Sequence, residues 1–160
     1  MKRFKQLLID KDLSAYWKQM DQLEQDRIYC RHGLTHALDV ARIGYILILE
    51  EQKAISKELF YTTALLHDLG RIKQYENGVS HHEAGVKIAC EFLEKYGYTA
   101  DEIALICDAI SSHKHGPDEE AYVLADVLYR ADKLSRNCFA CQAQDTCYWA
   151  QEKRNQTIEF

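Results

Sequence analysis

Tyr61-Thr62-Thr63-Ala64-Leu65-Leu66-His67-Asp68-Leu69-Gly70-Arg71 decides how the rest of the chain is read. Its first six residues read as a buried helix that delivers an imidazole and a carboxylate side by side at its end. Burying a carboxylate costs several kcal/mol unless a metal or a charge partner compensates it, so a cation is expected beside Asp68. Gly70 reads as the C-terminal cap of that helix. Arg71, just beyond it, puts a forked cation at the same spot, suited to a phosphate or a carboxylate. A plain helix end with a solvated aspartate would be spelled the same way, so the weight falls on whether other metal-capable side chains converge on this pair.

Upstream, Ser56 caps the helix that ends in His67-Asp68. Before it, residues 34–52 read as a strongly apolar helix with Val40, Ile43, Ile46, Leu47 and Leu49 as interior candidates and His36 near its start. Residues 4–26 read as a first helical region that could break near Asp10, with Leu13, Tyr16, Trp17, Met20 and Leu23 on one packing face.

Downstream of Arg71, residues 74–79 read as a loop with an Asn77-Gly78 turn. Ser80-His81-His82-Glu83 has the spacing of a capping box, placing His81 and His82 in the first turn of a helix that Gly97 stops. Thr99-Ala100-Asp101-Glu102 is a second capping box, opening a helix through Ile103, Ile106 and Ile110 that runs to Ser112-His113-Lys114-His115-Gly116-Pro117. The helix dipole alone favours histidines at such a C-terminus. Residues 119–135 read as another amphipathic helix bearing Val123, Leu124, Val127, Leu128 and Leu134. Asp132 follows Leu128 by four and continues the apolar stripe, where an acidic residue needs a partner.

One proline, seven glycines and apolar residues at helical spacing indicate an all-α helical bundle. The expectation is a single domain over residues 1–160, with a motif-bearing core at about 31–136, N-terminal helices at 4–26 and a cysteine-containing tail at 137–160 packed on it. No apolar run is long enough to cross a bilayer, and the stretch after the basic N-terminus stops at Asp10, too short for a signal peptide; a cytoplasmic protein is expected. Against 25 Asp and Glu stand 20 Lys and Arg, a formal charge of -5, which argues against a nucleic-acid partner. The oligomeric state is open.

His36, His67 with Asp68, His81 or His82, His113 or His115, and Asp132 come from five helices, each near an end or on an inner face. In a helical bundle such projections meet in the core and build a metal site. Imidazoles mixed with carboxylates suit iron, manganese, cobalt or zinc better than magnesium or calcium. The order His, His-Asp, His, His, Asp resembles the HD superfamily of metal-dependent phosphohydrolases. The resembling segments are His36-Ala37-Leu38-Asp39-Val40-Ala41-Arg42, Leu65-Leu66-His67-Asp68-Leu69-Gly70-Arg71, His81-His82-Glu83-Ala84-Gly85-Val86, Ala109-Ile110-Ser111-Ser112-His113 and Ala131-Asp132-Lys133-Leu134-Ser135.

The resemblance implies that His36, His67, Asp68 and Asp132 hold a first divalent transition-metal ion. It implies His81 and His113 for a second, with Asp68 as the bridge. Iron or manganese is favoured, with zinc, cobalt or nickel as other choices. His81 fits the family pattern better than His82 because it lies four residues before the small Gly85. Arg71 falls where relatives place a basic residue near the substrate, and His115 and Lys133 remain for substrate contact, His115 as the acid for the leaving group. The implied reaction is attack of a metal-activated water on a mono- or diester of a small, phosphorylated, nucleotide-like molecule, with Asp68 and Arg71 at the reacting centre. A di-iron oxygenase of the myo-inositol oxygenase kind has the same ligand order and is the alternative, followed by a non-catalytic regulatory domain.

Cys138-x-x-Cys141 with Cys147 has a spacing that could hold zinc or an iron–sulfur cluster, with Cys30 or a histidine as the missing fourth ligand. Reduced thiols packed under the tail are the expected reading.

Overall fold

The computed structural model describes residues 1–112 and 123–160. Among them are eight α-helices and no strand: α1 (Lys2–Leu8), α2 (Lys11–Leu23), α3 (Leu34–Glu50), α4 (Lys57–Leu66), α5 (Arg71–Asn77), α6 (His81–Lys95), α7 (Ala100–Ser112) and α8 (Val123–Leu134), followed by three single 3-10 turns in the tail. None of these helices is long and apolar enough to cross a membrane.

The position of α4 explains the rest. Phe60 and every residue from Thr62 to Leu66 are buried, so this helix is apolar all round and is enclosed by α1, α3, α6, α7 and α8. Fully burying one side chain such as Phe60 stabilises by roughly 1.5–3 kcal/mol. The two buried polar residues on α4 are satisfied: Thr62 Oγ1 meets the Tyr98 hydroxyl at 2.6 Å, and Thr63 Oγ1 donates to Leu59 O at 2.9 Å. One apolar cluster joins the end of α4 to α1, α2, α6 and α7 through residues such as Leu65, Leu13, Phe92 and Ile110. A second joins α4 to α3 and α8 through Phe60, Ala64, Val40, Leu47 and Leu128. A helix shared by two cores must end in the middle of the molecule, and that is where it delivers His67-Asp68.

Local sequence sets the element boundaries. Asp10 breaks the first helical region and caps α2, accepting from Asp12 N at 2.8 Å and Leu13 N at 2.9 Å. Ser56 Oγ accepts from Leu59 N at 3.1 Å at the start of α4. The Thr99–Glu102 capping box is complete, with Glu102 N to Thr99 Oγ1 at 3.2 Å and Thr99 N to Glu102 Oε2 at 2.9 Å. At Ser80 the box does not form; the residue is the N-cap of α6 without a side-chain bond.

Gly70 departs from its expected role. Its φ is −65° and it starts α5 rather than capping α4. A Cβ there would lie 2.8 Å from Gly85 Cα and closer still to His81 O and Gly85 N, so the residue is glycine because α6 passes directly over it. The expected loop at 74–79 is correspondingly shorter, since α5 continues to Asn77. Gly44 does the same service for α3. Its Cβ would run into the Phe60 ring and approach Ala131 Cβ at 3.0 Å, a close three-helix approach that draws the ends of α3 and α8 toward α4. Among the expected interior residues, Ile46, Leu49, Leu23 and Val123 are exposed, each on the outer side of a helix whose other face fills the core. The expected end of the helix at His113–Pro117 and start of the last helix at Glu119 lie outside the described residues.

Candidate metal centre

Four side chains meet where α3, the end of α4 and α8 come together. His36 enters from the first turn of α3, His67 and Asp68 from the end of α4, and Asp132 from the last turn of α8. One donor atom from each lies within 4.8 Å of all the others. Asp68 and Asp132 are 1% and 3% exposed and His67 is fully buried, so charges are concentrated in a place of low polarity.

The hydrogen bonds orient these donors. His67 Nδ1 sits 2.7 Å from Ala64 O, a bond that requires the proton on Nδ1. His36 Nδ1 lies 3.3 Å from Ser135 Oγ, and that hydroxyl donates to Asp132 O at 2.8 Å, so it accepts from the ring. Both imidazoles therefore turn Nε2 toward the carboxylates: His67 Nε2 is 3.2 Å from Asp68 Oδ2, and His36 Nε2 is 3.2 Å from Asp132 Oδ1 and 3.7 Å from Asp68 Oδ2. Lone pairs facing carboxylate oxygens at these distances call for a cation among them. A ring whose far N–H is held by a carbonyl or hydroxyl is the usual presentation of a metal-binding histidine. The donor set thus fits a divalent transition metal.

Cations ring the cluster. Arg71 Nε donates to Asp68 Oδ1 at 2.7 Å, which supplies the partner that a buried Asp68 demands. Arg136 donates to Asp132 Oδ1 at 2.9 Å and Lys133 to Asp132 Oδ2 at 2.7 Å. Burial pulls the Asp132 pKa upward, but His36, Arg136 and Lys133 hold it well below the ordinary carboxylate range. Burial opposes charging His36, yet Asp132 and Asp68 outweigh it and its pKa is raised. Arg136 is buried, whereas the Arg71 and Lys133 side chains keep 20% and 36% of their surface exposed and can reach a ligand.

His81 is buried at the start of α6, its carbonyl against Gly70, but it is not among the donors that close to within 4.8 Å. Its ring lies against that of His82, with centroids 3.8 Å apart, and His82 is the more exposed of the two. His113 and His115 lie outside the described residues.

Sequence reading missed a second buried polar group beside the centre. Glu24, 2% exposed at the end of α2, accepts from both the ring Nδ1 and the backbone N of His32, each at 2.6 Å, and from the Tyr75 hydroxyl at 2.5 Å. Burial works against the Glu24 charge, but these donors bring its pKa down to about 2, while burial and the bond to the Glu24 carboxylate push Tyr75 up to about 12. His32 packs edge-on against His36, with centroids 5.7 Å apart. The available signal was the spacing of four between His32 and His36 leading into α3. Arg136, four after Asp132, was also missed, although that helical spacing places it beside the carboxylate.

The HD domain family profile matches residues 33–137, which contain all four converging donors. The chain belongs to the HD domain family. A relative from Clostridium beijerinckii, named only as an uncharacterized protein, is 42% identical over 160 residues, covering all of both chains. Ribonuclease Y of Listeria welshimeri is 31% identical over 120 residues, which is 74% of this chain and 21% of that protein. For ribonuclease Y of Enterococcus faecalis the identity is 30% over 107 residues, covering 67% and 18%. The HD chain described here therefore spans about a fifth of those ribonucleases. The crystal structure of a predicted HD superfamily hydrolase from an uncultured Thermotogales bacterium superposes with a TM-score of 0.64 at 21% identity, over 92% of this chain and 84% of that one, which shows a shared fold.

Proposed function

We propose that this HD protein is a metal-dependent phosphohydrolase that cleaves a mono- or diester of a small, nucleotide-like phosphorylated substrate. The observation that carries the reading is the meeting of His36, His67, Asp68 and Asp132 within 4.8 Å beneath a rim of cations, a centre built for a metal and for an anion together. Iron or manganese is preferred over zinc, cobalt and nickel for this mixed imidazole and carboxylate set. When bound, the ion supplies Lewis acidity, acidifying a water and polarising a phosphoryl oxygen.

The chain's own residues do the rest. Arg71 is tied to Asp68 through Nε, which leaves its two terminal nitrogens for two oxygens of one phosphoryl group. Lys133 lies over the rings of Tyr129 and Trp149, each 5.3 Å from the centroid, so its ammonium is steered along a fixed path beside the centre. Ser135 and the Ala64 carbonyl keep the two imidazoles from rotating. In our reading His115 protonates the leaving group, and His81 and His113 serve a second ion bridged by Asp68. The ribonuclease relatives act on RNA by their name, but a net charge of -5 favours a small anion over a polymer.

The test is metal-stripped protein reloaded with Mn²⁺ or Fe²⁺ and assayed for release of phosphate or alcohol from nucleoside monophosphates and bis-p-nitrophenyl phosphate, with and without oxygen. Hydrolysis that needs the metal, ignores oxygen and disappears in Asp68→Ala supports the reading. Oxygen uptake without ester cleavage refutes it and moves the protein to the oxygenase class.

A further inference from the structure

Four of the six cysteines gather around one cavity. Cys30, from the segment between α2 and α3, and Cys138, Cys141 and Cys147, from the tail, line a cavity of about 700 Å³ whose wall includes His36, Ser135 and Arg136. All four are free thiols and half-buried, not packed away under the tail as their hydrophobic character would lead one to expect.

The tail has no core of its own. No residue from 137 to 160 is buried, and its regular structure is confined to three single 3-10 turns. Its backbone is nonetheless organised around the cysteines. Arg154 donates to the carbonyls of Trp149, Gln144 and Cys147 at 2.7, 2.9 and 2.9 Å. Gln144 Nε2 donates to Cys138 O at 2.6 Å, and the Tyr29 hydroxyl, next to Cys30, donates to Thr146 O at 2.9 Å. The Ala143 amide points at Cys141 Sγ from 3.4 Å. A thiol is a weak acceptor, whereas N–H groups aimed at sulfur are the means by which proteins tune thiolates bound to metal. A coreless segment held in one shape is the ordinary setting for a metal staple.

We propose that Cys30, Cys138, Cys141 and Cys147 ligate an iron–sulfur cluster that fastens the tail to the segment leading into α3. The spacing of the thiols favours a cluster over a single zinc ion. Tetrahedral zinc, with Zn–S near 2.3 Å, needs its four sulfurs about 3.8 Å apart. Among the described residues the His36 group is the one donor set that closes to within 4.8 Å, so the thiols stand around the cavity and do not meet at a point. A cluster fills that middle with its own iron and sulfide. The staple also has a purpose. Arg136 holds Asp132 and Ser135 holds His36, and both line the cavity with Cys30 and Cys138, so fixing the two cysteines fixes one wall of the metal centre.

Full-length protein, expressed with added iron and cysteine and purified without oxygen, is analysed for iron, acid-labile sulfide and the broad brown absorption of a cluster. Each cysteine's alkylation by iodoacetamide is then read by peptide mass spectrometry before and after cluster removal. The expected result is sulfide in proportion to the iron, with residues 30, 138, 141 and 147 protected until the cluster is removed. Sulfide and colour are lost in the Cys138→Ser/Cys141→Ser variant and kept in Asp68→Ala, which separates this iron from any held by the histidines. Absence of sulfide with all four thiols equally reactive before and after treatment overturns the proposal, and so does one equivalent of zinc without sulfide. The alkylation and sulfide readings come from the unmutated protein, so a serine variant that fails to fold does not decide the matter.

Discussion

Gly70 and Gly85 face each other where α5 and α6 cross, and alanine at the two positions should act in opposite directions. At Gly70 the new methyl would collide with the His81 carbonyl and the Gly85 backbone, neither of which can turn aside as a side chain could. Overpacking typically costs 1–3 kcal/mol, and with backbone as the obstacle the upper end, about 3 kcal/mol, is expected. At Gly85 the methyl would sit 3.4 Å from Ile110 Cγ2, 3.6 Å from His67 O and 3.7 Å from Gly70 N, ordinary contacts in a helix interior. There alanine should be neutral or stabilise by up to about 1 kcal/mol through helix propensity. For a chain of this size 3 kcal/mol corresponds to a fall of roughly 6–12 °C in Tm. Thermal and urea unfolding, followed by circular dichroism and by the fluorescence of the buried Trp17, measures both variants. Because Gly70 lies between Asp68 and the body of α5, Gly70→Ala should also bind metal less well at temperatures where it remains folded. A Gly70→Ala protein within about 0.5 kcal/mol of the parent, or a Gly85→Ala protein equally damaged, would refute the close-crossing argument.

Ser135→Ala removes the acceptor for the His36 Nδ1 proton and should weaken metal affinity by about 10–100-fold, read by competition with a chelator, while the fold is retained. Arg71→Ala should keep the metal and lower kcat/KM by about 10²–10³-fold, with Arg71→Lys recovering only part of it because the fork is lost. Glu24, held near 2 against an ordinary 4.5, contributes stability that is complete above about pH 4.5 and is lost as pH falls toward 2. Its buried bonds make this on the order of 3 kcal/mol, so Tm should drop steeply across that window in the parent and less in Glu24→Gln. A parent Tm that stays flat from pH 4.5 to 2 would contradict that linkage.

The helical class, the buried Thr62–Leu66 run and the inward face of Asp132 were legible because each rests on periodicity that the sequence displays directly, whereas the set of His36, His67, Asp68 and Asp132 was singled out by its resemblance to the HD superfamily. An apolar run with no polar face can only be enclosed, and Asp132 on an apolar stripe can only face inward. What could not be read depends on approach between elements distant in sequence. Gly70 looks like a helix cap until α6 is seen lying over it, and Ser80-His81-His82-Glu83 has the letters of a capping box that the backbone does not form. His32 looks like a surface residue until Glu24 and Tyr75 are brought to it from α2 and α5. Ile46 and Leu49 belong to the same apolar helix as Val40 and Leu47, and only the packing partners decide which flank faces out.

The cation rim bears most directly on how many ions the centre takes. Asp68 presents Oδ2 to the two imidazoles and gives Oδ1 to Arg71, so one oxygen faces the ring nitrogens and the other is held by a guanidinium. Asp132 is divided in the same way among His36, Arg136 and Lys133. Among the described residues, these two carboxylates face Arg71, Arg136 and Lys133, so a divalent ion would enter a centre already supplied with cations. An anionic group that reached the exposed ends of Arg71 and Lys133 would offset that charge. On the proposed function a phosphate ester would supply that anion. By engaging the terminal nitrogens of Arg71 it would loosen the hold of that side chain on Asp68 Oδ1 and leave that oxygen available as a further donor. The proposed function then predicts that metal stoichiometry, measured by elemental analysis with and without a non-hydrolysable phosphate ester, rises when the ester is bound, and equal stoichiometry in both would count against a link through Arg71.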